Sequence, residues 1–432
     1  MAMRLRRLLC LLLCLCVLES IVPLAGSCEE ETGEARNISR VSRVTARHGF
    51  TELSVLFDHN LVIPLDSPDH SWLTLSYPEG IGSVYLIFHY EYGAYSVTNN
   101  DTGQTVEVGQ NGFLHDFVDL EKLFGIAPAS VTISFDNGAV RLNELFIFTT
   151  GQVPDYVQRW ELPAEGKTDL LLFSAHGDDE QLFLGGILPY YAGELGYNVQ
   201  VVYLTNHRNN LSERCHEMLD GLYACGVTLY PVFGPFNDKK STSLEDAYEY
   251  MRSKGVSSEE LLGFVVEQLR RFKPMVAVTH DINGEYGHGQ HMLFADLLMK
   301  ACQISRDPLE YPELAEQYGV WDVPKTYLHL YPENEIVLDW DVPLSRFNGM
   351  TAYEVTRDLG FPCHKTQYSS YLWYFTQGTC AKDIKKYSPC YYGLYRSTVG
   401  PDIQKDDFFE NINAHTRAQR DWALPRRDAP SL

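Results

Sequence analysis

The chain has 432 residues, 45% of them hydrophobic and 21% charged, a balance that excludes disordered, collagenous and coiled-coil proteins. Its 35 Lys and Arg against 57 Asp and Glu give a net charge of −22, which argues against a nucleic-acid binder and against attraction to an anionic membrane surface. The length suggests two or three domains of about 150 residues each.

Arg4, Arg6 and Arg7 precede an apolar run from Leu8 to Leu18, which Glu19 interrupts. The run is shorter than the ~20 residues of a membrane-crossing helix. A basic start, a short apolar stretch and the small-residue exit Ala25-Gly26-Ser27 read as a secretory signal peptide over residues 1–27, with Cys28 first in the mature chain. The expected location is therefore secreted or extracytoplasmic. A lipid on Cys28 is the one membrane link the sequence offers. Cys215, Cys225, Cys302, Cys363, Cys380 and Cys390 could form disulfides in an oxidising compartment, with Cys28 left over. Cys215 and Cys225 lie on one expected helix, about 15 Å apart and beyond bonding reach. Cys363, Cys380 and Cys390, close together in sequence, are the expected partners.

Residues 37–150 read as β structure. Short runs such as 53–57, 83–88, 130–135 and 145–148 are separated by turn signals, the pattern of a β-sandwich or jelly roll. Residues 120–124 are the one helix-like exception. Asn37-Ile38-Ser39, Asn100-Asp101-Thr102 and Asn210-Leu211-Ser212 fit N-glycosylation acceptors in a eukaryotic host. Residues 151–168, with Pro154, Trp160 and Pro163, read as a packed linker. The rhythm then changes. Asp169–Ser174, Val199–Leu204 and Met275–Thr279 are unalternating apolar runs, as for strands buried on both faces. Helices are expected at 181–196, from a Ser212 cap to Gly226, after a Ser257/Glu260 capping box, and at 290–306. The expected fold is α/β: a Rossmann-like layered domain with a mainly parallel sheet over residues 169–400, preceded by the β-sandwich (jelly-roll-like) and followed by a tail, 401–432.

Two polar clusters directly follow two of those strands. Ala175-His176-Gly177-Asp178-Asp179-Glu180 follows Ser174, and the segment from His280 to His291 follows Thr279. Both fall on the rim where parallel sheets bind ligands. A catalytic zinc takes three protein ligands and leaves one position open for water. His176 and Asp179, like His288 and His291, are three apart, a spacing that puts both on one face of a helical turn. A carboxylate beside the water can take its proton, and a histidine can stabilise an oxyanion or protonate a leaving amine. Taken alone, Asp178 and Asp179 would equally suit the start of a helix.

The sequence Ala-His-Gly-Asp-Asp-Glu after a buried strand, followed later by Gly-His-x-x-His, resembles the PIG-L/LmbE-like zinc-dependent N-deacetylase family over roughly residues 168–375. The family usually has Pro where Gly177 stands. The resemblance implies His176, Asp179 and His291 as ligands of zinc (Zn2+), Asp178 as general base, and His288 as acid or oxyanion stabiliser. It also implies that Arg214 and Tyr286 contact substrate, with Asp238 as a sugar-hydroxyl contact. His364-Lys365-Thr366-Gln367 matches a late family motif without an evident role. The implied activity is removal of N-acetyl groups from N-acetylglucosamine-containing sugars or glycoconjugates. A zinc amidase acting on a non-acetyl amide, or an inactive carbohydrate-binding protein of the same fold, are the alternatives. The β-domain offers aromatic faces for sugar stacking, against the plainer role of covering one side of the catalytic domain.

Overall fold

The computed structural model describes residues 33–46, 50, 52–162, 166–207 and 213–422. The segment 1–27 expected as a signal peptide, Cys28, the acceptor sequence at Asn210 and the expected Ser212 cap lie outside the described residues. The N-terminal region is built from two antiparallel sheets. One runs β1 (Arg43–Ala46), β3 (Ser71–Ser76), β8 (Ser130–Phe135), β5 (Tyr95–Asn99), β6 (Thr105–Val108) in spatial order. The other runs β2 (Leu65–Ser67), β9 (Val140–Phe148), β4 (Ser83–Phe88), β7 (His115–Asp119). Alternate residues of β3 and β8 point inward, so Leu73, Leu75, Val131 and Ile133 meet Val84, Leu86, Leu145 and Ile147 of the second sheet in one core. The opposite face of β4 and β9 is covered as well. There Tyr85, Ile87, Phe146 and Phe148 pack against Val153 and Val157 from the segment leading out of the region.

Residues 53–57, expected as a strand, instead form a short helical turn, Leu53–Phe57, with Leu56 fully buried. The turn packs chiefly on β9, whose two edges are already taken by β2 and β4, so an extended segment there would find no ladder to join.

The second region centres on a seven-stranded sheet in the order β12 (Val232–Phe236), β11 (Val199–Thr205), β10 (Leu170–Ser174), β13 (Val276–Thr279), β14 (Lys325–His329), β16 (Tyr391–Ser397), β15 (Glu335–Val337). The pairings from β12 through β14 are parallel; β16 is antiparallel to both β14 and β15. Every residue of β10, β11 and β13 is buried, as their apolar runs require; full burial of each Leu, Val or Phe contributes about 1.5–3 kcal/mol. The Ser257/Glu260 capping box starts helix Ser258–Phe272, with reciprocal bonds of 3.1 and 2.7 Å.

The helix expected over 181–196 is regular only in its second half, as a wide-turned helix Leu188–Glu194. Before it lie irregular turns. Gly186 has φ +93°, and a Cβ there would strike the Trp340 ring at 2.5 Å, so the chain bends where the indole sits. Residues 401–422, read as a tail, pack on the domain: Phe408 is fully buried and Asp402 pairs with Lys325 inside β14. Cys363, Cys380 and Cys390 are separate thiols and not the disulfide partners expected; Cys363 Sγ donates to the Leu359 carbonyl instead.

The two regions share a seam. Phe113 stacks on Tyr230 with ring centres 4.5 Å apart, and Trp160 of the linker packs against Tyr223 and Tyr230. Deeper in the seam Tyr85 Oη meets His115 Nδ1 at 2.8 Å, and His115 Nε2 meets His216 Nδ1 at 2.8 Å. Burial holds both imidazoles neutral, His216 down at about 3 and His115 well below its ordinary value of 6.5. Below pH 6.5 the unfolded chain takes up protons that the folded histidines refuse. Each therefore removes up to about 1.4 kcal/mol of stability per pH unit on the acid side, and nothing above it. Thermal melts from about pH 7.5 down to 5 should show a falling melting temperature, with a shallower fall in His216→Gln. A slope unchanged in that variant would contradict the assignment.

Candidate metal centre

β10 lies between β11 and β13, so the loops leaving the C-terminal ends of β10 and β13 face each other. The first loop is held by short bonds: Ser174 Oγ donates to the His176 carbonyl at 2.8 Å, and Thr205 Oγ1 to the Ala175 carbonyl at 2.9 Å. The second turns through Gly284 (φ +65°) and Tyr286 (φ +48°), a backbone that a non-glycine residue rarely adopts, before helix Gly289–Ile304 begins.

These loops bring His176, Asp179 and His291 together. His176 Nδ1 is 3.0 Å from Asp179 Oδ2 and 3.2 Å from His291 Nε2, and the last two atoms are 3.2 Å apart. Three donors about 2.0–2.2 Å from one metal stand roughly this far from one another. All three residues are buried, and two imidazole nitrogens facing each other need either a proton or a cation between them. The residues present therefore fit a divalent metal.

Two groups of ligand type occur among the described residues: His176, His288 and His291, and Asp179, His280 and His291. Hydrogen bonding separates ligands from neighbours. His280 Nε2 accepts the Ala175 N–H at 2.9 Å while its Nδ1 donates to Glu285 Oε2, so neither nitrogen is left for a metal. His288 Nδ1 accepts the Gln290 N–H at 3.2 Å and caps the helix, which puts its proton on Nε2. Burial, with His176 and His291 close by, lowers the His288 pKa to about 3, so this ring is a neutral donor.

The paired carboxylates diverge. Asp178 is pushed up to about 7 by burial and by the neighbouring Asp179, with Arg214 pulling the other way from 3.8 Å. Burial acts on Asp179 too, but His291 and His176 outweigh it and keep the carboxyl well below its ordinary range. One carboxylate thus stays ionised while its neighbour can exchange a proton.

The other expected residues also gather here. Arg214 Nη2 donates to the Gly177 carbonyl at 2.8 Å, bracing the first loop as well as facing Asp178. Tyr286 puts its ring 5.4 Å from His291 and 5.5 Å from His288. Asp238, expected at a sugar hydroxyl, has Oδ1 3.2 Å from His176 Nε2, and the Gln290 amide lies 2.9 Å from the same nitrogen; a proton held on Nε2 by the carboxylate leaves Nδ1 bare for a metal. At Gly177 a Cβ would overlap Met218 Sδ at 2.4 Å, so the helix Glu213–Ala224 fills the space a proline ring would need.

Glu285 is the residue that sequence reasoning passed over. It is fully buried, and its carboxylate accepts from three imidazoles: His291 Nδ1 at 2.6 Å, His280 Nδ1 at 2.9 Å and His329 Nδ1 at 2.5 Å. The bond to His291 leaves Nε2 as the free lone pair, the outer-shell arrangement that orients metal-bound histidines.

A family model described as GlcNAc-PI de-N-acetylase, PIG-L, matches residues 171–302, which span both loops. The 1D-myo-inositol 2-acetamido-2-deoxy-alpha-D-glucopyranoside deacetylase 2 of Saccharopolyspora erythraea is 30% identical over 206 residues, 43% of this chain and 72% of that protein. This chain belongs to the PIG-L family. Deacetylase 1 of the same description from Catenulispora acidiphila is 27% identical over 218 residues, 44% of this chain. The chain spans 65% of that relative's length and 57% of the one from Streptomyces scabiei. A solved N,N'-diacetylchitobiose deacetylase from Pyrococcus horikoshii is 16% identical, covers 52% of this chain and 83% of its own, and has a TM-score of 0.35. The PIG-L match ends at residue 302, so β14 to β16, including His329, lie beyond it.

Proposed function

We propose that this chain is a zinc-dependent hydrolase that removes the acetyl group from an N-acetylglucosamine-containing sugar or glycoconjugate. The observation that carries the reading is the convergence of His176 Nδ1, Asp179 Oδ2 and His291 Nε2 with Asp178 alongside. Relatives named as deacetylases of a 2-acetamido sugar support the acyl group and the sugar. When bound, zinc would polarise the acetamide carbonyl and lower the pKa of a water to about 7. Asp178, near neutral pKa, takes the proton of the attacking water and returns it to the departing nitrogen, giving acetate and a free amine. His288 donates from Nε2 to the oxyanion as it develops. Arg214 holds Asp178 and, with Tyr286, lines the substrate side.

In this reading residues 1–27 are a signal peptide and the protein is secreted or extracytoplasmic. Residues 37–150 form a jelly-roll-like β-sandwich on the flank of a Rossmann-like catalytic domain, 169–400, onto which 401–422 pack. The test is incubation of the zinc-loaded protein with a panel of N-acetylglucosaminides and matched N-acyl analogues, with acetate and free amine quantified. Equimolar acetate and amine is the expected result. Hydrolysis of other acyl groups alone would make it an amidase, and no hydrolysis with zinc bound would leave a binding protein.

A further inference from the structure

The late motif His364-Lys365-Thr366-Gln367 opens helix Lys365–Phe375, far in sequence from both site loops. His364 is fully buried, and its Nε2 lies 3.1 Å from Glu180 Oε1. The other oxygen of Glu180, also fully buried, accepts the backbone N–H of Asp178 at 3.0 Å. Two residues on, Thr366 grips a second carboxylate with two bonds. Its N–H donates to Glu217 Oε1 at 2.9 Å and its hydroxyl to Glu217 Oε2 at 2.6 Å. Glu217 thereby satisfies an orphan N–H at the start of the helix, where its charge also complements the dipole. Glu217 sits on helix Glu213–Ala224, which carries Arg214. On the same helix Gly221 leaves room for the imidazole, since a Cβ there would lie 2.9 Å from His364 Nε2.

One helix start therefore holds two buried carboxylates, one from each element that presents a reacting or contacting group. A buried carboxylate is costly unless paired, so neither would keep this position without its partner. We propose that His364 and Thr366 are positioning residues of the hydrolysis, fixing Asp178 through Glu180 and the Arg214 helix through Glu217. The proposal rests on the deacetylase reading. Displacement of a reacting group by about 1 Å is worth roughly a hundredfold in rate. The loss through His364 falls on kcat, because it acts on Asp178; that through Thr366 falls on kcat with a smaller change in KM, because Arg214 both holds Asp178 and faces substrate.

The experiment compares wild type, His364→Ala, Thr366→Val and Thr366→Ser on an N-acetylglucosaminide. It measures kcat, KM, zinc per chain and hydrogen exchange of the Asp178 amide. His364→Ala should keep its zinc and lose kcat by about a hundredfold with KM nearly unchanged, and the Asp178 amide should exchange faster. Thr366→Val, which removes one hydroxyl at constant shape, should lose about tenfold, and Thr366→Ser should recover it. Wild-type kcat in the folded variants, a change confined to KM, or loss of zinc in step with rate would each overturn the proposal. If His364→Ala does not fold, the Val and Ser pair at Thr366 decides. If the wild type itself turns over no substrate, the deacetylase reading falls, and unchanged Asp178 exchange in the variants overturns the positioning role separately.

Discussion

Asp178→Asn is expected to retain zinc and to lose turnover by about 10²–10⁴-fold, the range ascribed to a positioned general base. The amide keeps the shape of the carboxylate, so the loop should stay in place; Glu180 still accepts the backbone N–H of residue 178. What disappears is a buried carboxyl beside the metal ligands whose pKa, near 7, suits a proton taken from water and returned to nitrogen. Metal content measured beside steady-state kinetics separates this from damage to the site. A near-normal rate with zinc bound would assign the base elsewhere.

Glu285→Gln is expected to weaken zinc binding by about 10–100-fold, the usual cost of removing an outer-shell partner from a metal-bound histidine. An amide cannot accept from three imidazoles, as Glu285 does from His280, His291 and His329, and its NH2 would face a ring N–H. With the NH2 group at the Oε2 position, His291 loses the bond that fixes its tautomer; with it at Oε1, His329 loses its partner and the cluster around His291 must shift. The melting temperature should fall as well, because a buried network left partly unsatisfied is costly. Competition with a chromophoric chelator at fixed pH reads the affinity; wild-type affinity in the variant would reduce Glu285 to a packing role.

Local pattern carried the parts of this molecule that local forces decide. The unalternating runs at 170–174, 199–205 and 276–279 are buried strands because both of their faces are covered. That burial also placed the two polar clusters on one rim. The capping box at Ser257 and Glu260 is legible because its bonds span three residues. β14 was missed for the opposite reason. It is buried throughout yet reads Lys-Thr-Tyr-Leu-His, since Asp402 accepts from Lys325 and Tyr327 and Glu285 accepts from His329, both far away in sequence. Glu285 itself looks like a loop acid between Gly284 and Tyr286; only the fold shows three histidines around it. The roles of His364 and Thr366 were hidden similarly, because Glu180 and Glu217 lie more than a hundred residues earlier.

A metal held where His176, Asp179 and His291 converge is the central requirement of the proposed hydrolysis. Elemental mass spectrometry of the purified chain and of His291→Ala, each dialysed against zinc and then buffer, tests it without any choice of substrate. About one zinc per chain is expected in the wild type, and its loss in the variant. No metal in the wild type, or equal metal in the two proteins, would contradict it.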